Sequence, residues 1–374
     1  MSETNQKLRI IPLGGVDEFG KNITVIEYGE DIIVVDCGSI FPKEDMLGVD
    51  LVIPDVTYLI KNKDRIRGLL LTHGHEDHIG ATPYVLRQVA MPLYGTKLTL
   101  ALVDLKLKEH RIAGIPLNVI KPGDEIDLGC FHCKFIHVNH SIAGAVSIAI
   151  TSPAGTIIMS GDFKVDFTPI EGEVTDLASF AMLGKQGVLA LLCESTNIER
   201  KGHTMSETKI GQTFIDMFQQ AKGRVIVAMF ASNVHRVQMV VDSAAMYGRK
   251  VCFIGRSMVN VTRVAMSIGE LTIPEENIVD VDDIDNYPDE ELLVVTTGSQ
   301  GEAMAGLTRM AYSEHRKLQI APATWSSSPP PPFPATKSPW RALSTSSTVA
   351  ARTSFTGSLA RCMSPVTPAK RKSS

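Results

Sequence analysis

The chain has 374 residues, 44% of them hydrophobic and 21% charged, with a formal net charge of −4. That length allows two or three domains with sizeable cores, and no stretch approaches the ~20 apolar residues that a membrane span needs. The opening MSETNQKLRI lacks the basic-then-apolar order of a signal peptide, and six irregularly spaced cysteines suggest no disulfide framework. Secreted, membrane-spanning, fibrous and wholly disordered classes are set aside, and a cytoplasmic protein is expected.

Short apolar runs of strand length open the chain: RIIPLG (Arg9–Gly14), ITVIEY (Ile23–Tyr28), IIVVD (Ile32–Asp36) and RGLLLT (Arg67–Thr72). Helical stretches follow over Ile79–Val89 and Leu98–His110. FIHV (Phe135–Val138), VSIAIT (Val146–Thr151), TIIMSG (Thr156–Gly161) and VLALLC (Val188–Cys193) again read as strands. Turn residues at Gly29–Asp31 and Pro153–Gly155 make hairpins of consecutive runs. Many strands with a few helices between them predict a layered α/β sandwich over residues 1–205.

From Ser206 the rhythm changes. Helix is predicted over Glu207–Ala221, His235–Tyr247, Met258–Ser267 and Glu302–Met310. Strand is predicted over Arg224–Phe230, Lys250–Gly255 and Leu292–Gly298. Strand and helix in alternation predict a parallel, doubly wound sheet in a second domain, 206–320. Residues 321–374 hold no Asp or Glu, seven Lys or Arg, nine of the 20 prolines and twelve serines. With no apolar period, this tail is expected to be disordered. Without it the chain carries 30 basic and 41 acidic groups, so net charge supplies no argument for nucleic-acid binding and any such claim needs a local site.

One segment stands out: Thr72-His73-Gly74-His75-Glu76-Asp77-His78, after an apolar strand and before a helix. Imidazole and carboxylate are the donors that Zn²⁺ or Mn²⁺ takes. His73 and His75, two residues apart, can point the same way toward one metal. Asp77 and His78, at the turn into the helix, can face a second. His140 follows the FIHV strand and is the best further ligand for the first metal. Asp162, in MSGDF, is placed to bridge both. Asp36, ending IIVVD, is expected to orient a histidine by accepting its free ring N–H.

These residues, in this order after strands, resemble the motifs of the metallo-β-lactamase superfamily. Longer stretches narrow the resemblance: PLGGVDEFGKN, VVDCGSIFP, LTHGHEDHIG, HSIAGAVSIAI and SGDFKVDFTP are similar to the ribonuclease J family, of the β-CASP branch. The similarity runs from about residue 8 to 320. It implies an αββα sandwich with a β-CASP domain inserted. It implies one metal on His73, His75, His140 and Asp162, and another on Asp77, His78 and the shared Asp162. The implied activity is hydrolysis of RNA phosphodiester bonds, internally or from the 5′ end, with single-stranded RNA as substrate and no membrane partner.

Glu194, in CESTN, resembles the first β-CASP motif, an acidic residue close to the metals; a carboxylate capping the next turn is the alternative. Phe230-Ala231-Ser232-Asn233, with His235 and Arg236, joins a strand to a helix, where N–H groups and the dipole favour phosphate. The family uses this loop against the RNA backbone. Gly298-Ser299-Gln300-Gly301-Glu302 closes a similar turn. Gly48 and Asp50 fall where some family members bind a structural calcium, and Cys130 and Cys133 are spaced like half a zinc knuckle but read as core cysteines.

The family continues with Ser-Gly-His-Ala and His-Gly-Glu motifs, whereas no histidine of this sequence follows His315. The second metal is therefore expected to lack its last ligand, and the surface through which the family forms homo-oligomers is largely missing. The tail is read as a shifted reading frame or a misannotated end replacing folded family sequence, with a native low-complexity tail as the alternative. The leading expectation is a dinuclear-metal ribonuclease. The alternatives are an impaired RNA-binding remnant and a small-molecule thioesterase or lactonase of the same superfamily.

Overall fold

A computed structural model of the chain describes residues 6–42, 46–170, 172–196, 198–199, 201–202, 206–297, 306–311, 318 and 325–327. The chain divides into two compact units. The first is Met1–Thr208 with Ser232–His235 and Arg263–Leu271; the second is Lys209–Ala231, Arg236–Thr262 and Thr272–Ser374.

In the first unit, β1 (Arg9–Gly14), β2 (Ile23–Tyr28) and β3 (Asp31–Val35) form an antiparallel meander. After α1 (Thr57–Lys61), β4 (Ile66–Leu70) joins β3 in parallel. Next come α2 (Glu76–Ile79), α3 (Thr82–Leu86), β5 (Leu93–Gly95), α4 (Lys97–Glu109) and β6 (Leu117–Val119). They complete a six-stranded sheet in sequential order. A second sheet, ordered β11-β10-β9-β8-β7, is built from β7 (Glu125–Leu128), β8 (Phe131–His137), β9 (Val146–Ser152), β10 (Gly155–Met159) and, beyond α5 (Leu177–Gln186), β11 (Ala190–Leu192).

The strand sequences explain the layers. β8 alternates, with Phe131, Cys133 and Phe135 buried, so one face turns inward at period two. These side chains meet Ile26, Ile33, Val35 and Leu70 of the first sheet in one core. On the other face of the second sheet, Ile136, Ala149 and Ile158 pack with Phe180 and Leu183 of α5. β2 and β3 are buried along almost their whole length. Strands covered on both faces read as continuous apolar runs, which is why ITVI and IIVV do not alternate.

The single helix expected over Ile79–Val89 is two short ones, α2 and α3. Gly80 leaves no room for a side chain, since a Cβ there would lie 2.0 Å from Ser39 Oγ. Pro83, which has no N–H to donate, stands in the first turn of α3.

The second unit contains most of α6 (Glu207–Gln220), then β12 (Val225–Ala228), most of α7 (Val234–Ala245), β13 (Lys250–Ile254), much of α8 (Arg256–Ser267), β14 (Leu292–Thr296), α9 (Gly306–Ala311) and β15 (Trp325–Ser327). Its sheet is parallel throughout and ordered β13-β14-β12-β15. The core gathers Ile226, Cys252, Ile254, Leu292, Val294, Leu307 and Met310. Buried Arg249 donates to the carbonyls of Ala221, Gly223 and Leu292, tying the loops before β12 and β14 together.

One short strand, β15, falls inside the stretch read as disordered from residue 321. Trp325–Ser327 pairs with Val225–Val227 through backbone hydrogen bonds, which need no apolar period and so leave no trace in a Ser- and Pro-rich sequence. Residues 328–374 lie outside the described residues.

Candidate metal centre

The cluster is assembled at the ends of strands. Leu69, Leu70 and Leu71 are fully buried and anchor the exit of β4. The chain then runs through Thr72 and His73-Gly74-His75 into α2. Gly74 packs against α4, where a Cβ would come 2.9 Å from Leu102 Cδ1. Asp36 follows β3 in a left-handed conformation (φ 60°). His140 lies between β8 and β9, and Asp162 follows β10. Four separate strand ends thus bring their side chains to one place.

Two ligand sets result. One ligand atom from each of His73, His75, His140 and Asp162 falls within 4.8 Å of the others, and Asp77, His78 and Asp162 make a second such group. His75 Nδ1 lies 3.1 Å from His73 Nε2 and 3.0 Å from His140 Nε2. His140 Nε2 is 3.8 Å from Asp162 Oδ2. In the second group, His78 Nε2 is 3.3 Å from Asp162 Oδ1 and 3.6 Å from Asp77 Oδ2. Asp162 belongs to both groups, one oxygen facing each.

Asp36 is buried and holds the other nitrogen of His78, with Nδ1 2.8 Å from Asp36 Oδ2. Thr72 locks this pair. Its N–H donates to Asp36 Oδ1 at 2.8 Å, and its hydroxyl lies 2.9 Å from Asp36 Oδ2 and 3.0 Å from His73 Nδ1. One side chain therefore braces a histidine of each group.

Burial, reinforced by the neighbouring histidines, holds His73 and His75 well below the usual imidazole range. Burial also lowers His140 to about 4, although Asp162 pulls the other way. Burial disfavours charge on His78 too, but Asp36, Asp162 and Asp77 together outweigh it and raise His78 well above the usual value. Asp162 is pushed up by burial and brought down to about 2 by its hydrogen bond to His78 and the charges of His78, His140 and His75. Burial raises Asp77. Converging neutral imidazoles beside an ionised, shared carboxylate are the donor set a divalent cation takes, so these residues fit a metal pair.

The remaining sequence-derived positions fall elsewhere. Glu194 is in neither ligand group: its carboxylate accepts the N–H of Thr196, capping the following turn, while its own N–H donates to Ser160 Oγ at 3.1 Å. Phe230 is exposed, and Ala231 and Asn233 are buried. Within the first unit, Asn233 and His235 line a cavity with His137, His140 and Lys164. Gly48 and Asp50 are exposed, and Asp50 is in neither group among the described residues. Cys133 is buried and Cys130 half-buried, both as free thiols. The Gly298–Glu302 turn lies outside the described residues. Sequence reading missed Thr72 and Asn22, both of which touch the ligands. A hydroxyl directly before the His-Gly-His run was the only local signal for Thr72, and Asn22 is separated from Asp77 by 55 positions.

Comparison with known proteins agrees with this geometry. The metallo-β-lactamase superfamily matches residues 16–183, which include the His73–His78 segment, His140 and Asp162. The fold and the two ligand groups of the first unit thus agree with a metallo-β-lactamase domain. The β-CASP domain of ribonuclease J matches residues 222–332. The chain carries a metallo-β-lactamase domain and a ribonuclease J β-CASP domain. It is 44% identical over 317 residues to ribonuclease J of Helicobacter pylori, covering 84% of this chain and 46% of that protein. Against ribonuclease J of Mycobacterium tuberculosis the identity is 43% over 318 residues, covering 85% and 57%. The chain spans about half the length of the curated relatives it matches. A crystal structure of a protein of unknown function from Enterococcus faecalis V583 aligns over 86% of this chain and 88% of that one, with a TM-score of 0.59 and 14% identity, a likeness of fold alone.

Proposed function

We propose that the chain hydrolyses phosphodiester bonds of single-stranded RNA in a metal-dependent reaction, as an endonuclease, a 5′-to-3′ exonuclease or both, in RNA processing and decay in the cytoplasm. The observation that carries this reading is the carboxylate shared between two ligand groups: Asp162 presents one oxygen to His140 and the other to His78. The ribonuclease J β-CASP match over residues 222–332 supports RNA over a small molecule.

His73, His75, His140 and Asp162 would hold one divalent ion, and Asp77, His78 and Asp162 a second, as zinc or manganese. Such ions supply Lewis acidity and lower the pKa of a water from 15.7 to about 7. The chain does the positioning. Asp36 and Thr72 hold the His78 ring by Nδ1, so that Nε2 faces Asp77 and Asp162. Burial keeps His73, His75 and His140 unprotonated, leaving their lone pairs free for an ion. Phe230–Asn233 and His235, where β12 gives way to α7, are the residues we assign to the RNA backbone.

The test is incubation of the purified chain with a 5′-monophosphorylated single-stranded RNA and Mn²⁺ or Zn²⁺, beside Asp77→Ala. Cleavage by the parent that is lost in the variant is the expected result. Binding of the RNA without cleavage, or turnover of a thioester or lactone in place of RNA, would overturn the proposal.

A further inference from the structure

α2 has only four residues, too few to be held by its own hydrogen bonds, yet it carries both Asp77 and His78. Its carbonyls are gripped from outside. Ser39 N–H donates to Glu76 O at 3.1 Å and Cys37 N–H to His78 O at 2.7 Å. Between them, Asp77 O accepts two hydrogen bonds from one residue, Asn22. The main-chain N–H and the side-chain Nδ2 of Asn22 each reach it at 3.0 Å. Asn22 is itself fixed, since its carbonyl accepts the N–H of Gly38 at 2.9 Å. Gly38 is pressed so closely beneath the turn that a Cβ would lie 1.6 Å from Asp77 O.

The carboxamide also extends into the ligand group. Asn22 Nδ2 lies 3.1 Å from His78 Nε2, the nitrogen that faces Asp77 Oδ2 and Asp162 Oδ1. Nδ2 carries two hydrogens. One is used by Asp77 O, and Nδ2 also lies within hydrogen-bond distance of the ligand edge of His78. Asn22 thus controls the main chain between the two ligands and touches one of them.

We propose that Asn22 is a positioning residue for the second ion: its carboxamide sets the angle at which Asp77 and His78 face Asp162. The inference rests on the metal-centre reading above but not on RNA being the substrate. Outer partners of metal ligands are worth about 10–100-fold in affinity. Asn22→Ala retains the main-chain bonds to Asp77 and Gly38 and removes only the carboxamide. Asn22→Asp keeps its size, places an acceptor against the Asp77 carbonyl, and serves if Asn22→Ala does not fold.

The experiment is calorimetric titration of the full chain and both variants with Mn²⁺ and Zn²⁺, with bound ions counted by native mass spectrometry and folding checked by circular dichroism. The expected result is a second ion weakened about 10–100-fold in a folded variant while the first binds as in the parent. Equal weakening of both ions would mean that Asn22 merely holds the loop, and would overturn the inference. So would two ions bound as tightly as in the parent, or a parent that takes up only one. A variant effect on the second ion in a parent that cleaves no RNA would count against the ribonuclease reading alone.

Discussion

Three histidines, His73, His75 and His140, stand on one side of Asp162, and one aspartate and one histidine, Asp77 and His78, on the other. His75 lies 3.0–3.1 Å from His73 and His140, and the His73 ring also meets the His78 ring at 4.0 Å between centroids. Burial lowers all three and the charge of His78 adds to it, while Asp162 opposes the shift at His75 and His140. His78 is buried as His73 is but faces three carboxylates, whose pull outweighs desolvation and raises its pKa well above the usual value. Burial alone therefore does not decide whether a histidine is ready for a metal; the charge of what it touches does. An ion entering the first group displaces no proton at neutral pH, while one entering the second must displace the proton of His78.

The comparison can be broken most completely at the residue the two groups share. Asp162→Ala is expected to abolish the second ion and weaken the first by more than the ~10–100-fold attached to outer partners, with metal counts by mass spectrometry as the measurement. Retention of both ions would show that the groups are independent. Asp36→Ala, which removes the acceptor at His78 Nδ1, is expected to weaken the second ion about 10–100-fold and spare the first. Titration calorimetry separates the two.

The proton difference gives a smaller, graded effect. Because His78 titrates above its ordinary value, affinity for the second ion is expected to rise by about one decade per pH unit until His78 has lost its proton. The first ion's affinity is expected to stay flat over the same range, since His140 is neutral above about 4 and His73 and His75 lie well below the usual range. Parallel slopes for the two ions would contradict the assignment. The smallest effect belongs to the rim. Lys106 pairs with Glu76 at 2.6 Å, but the Glu76 side chain is 54% exposed. Lys106→Ala is therefore expected to cost less than about 1 kcal/mol of stability in thermal unfolding and to leave metal binding intact.

Most of the centre was legible in the chain itself. His73, His75, Asp77 and His78 sit within six residues, and His140 and Asp162 each follow an apolar run, so strand ends located them. The core strands were equally clear where β-branched runs are continuous or alternate, as in β3 and β8. What escaped was structure carried by main chain. The break between α2 and α3 falls at Gly80 and Ala81, where Gly80 packs closely on Ser39, 41 positions away. β15 is held through backbone pairing to β12, and neither its serines nor its tryptophan announces a strand. The three-residue strands β5 and β6 are too short to show a period.

The amino-acid sequence by itself determined the class of fold, the kinds of ligand and their grouping into His-rich and Asp-containing sets, because residue type and strand-length hydrophobic runs are local properties. Only the tertiary structure decided that His78 lies against Asp36 while His140 lies against His75, that Thr72 braces both groups, and that Asn22 grips Asp77. Those contacts join residues tens of positions apart. They exist because two packed sheets bring the ends of β3, β4, β8 and β10 together, and the charge states of the centre follow from that meeting.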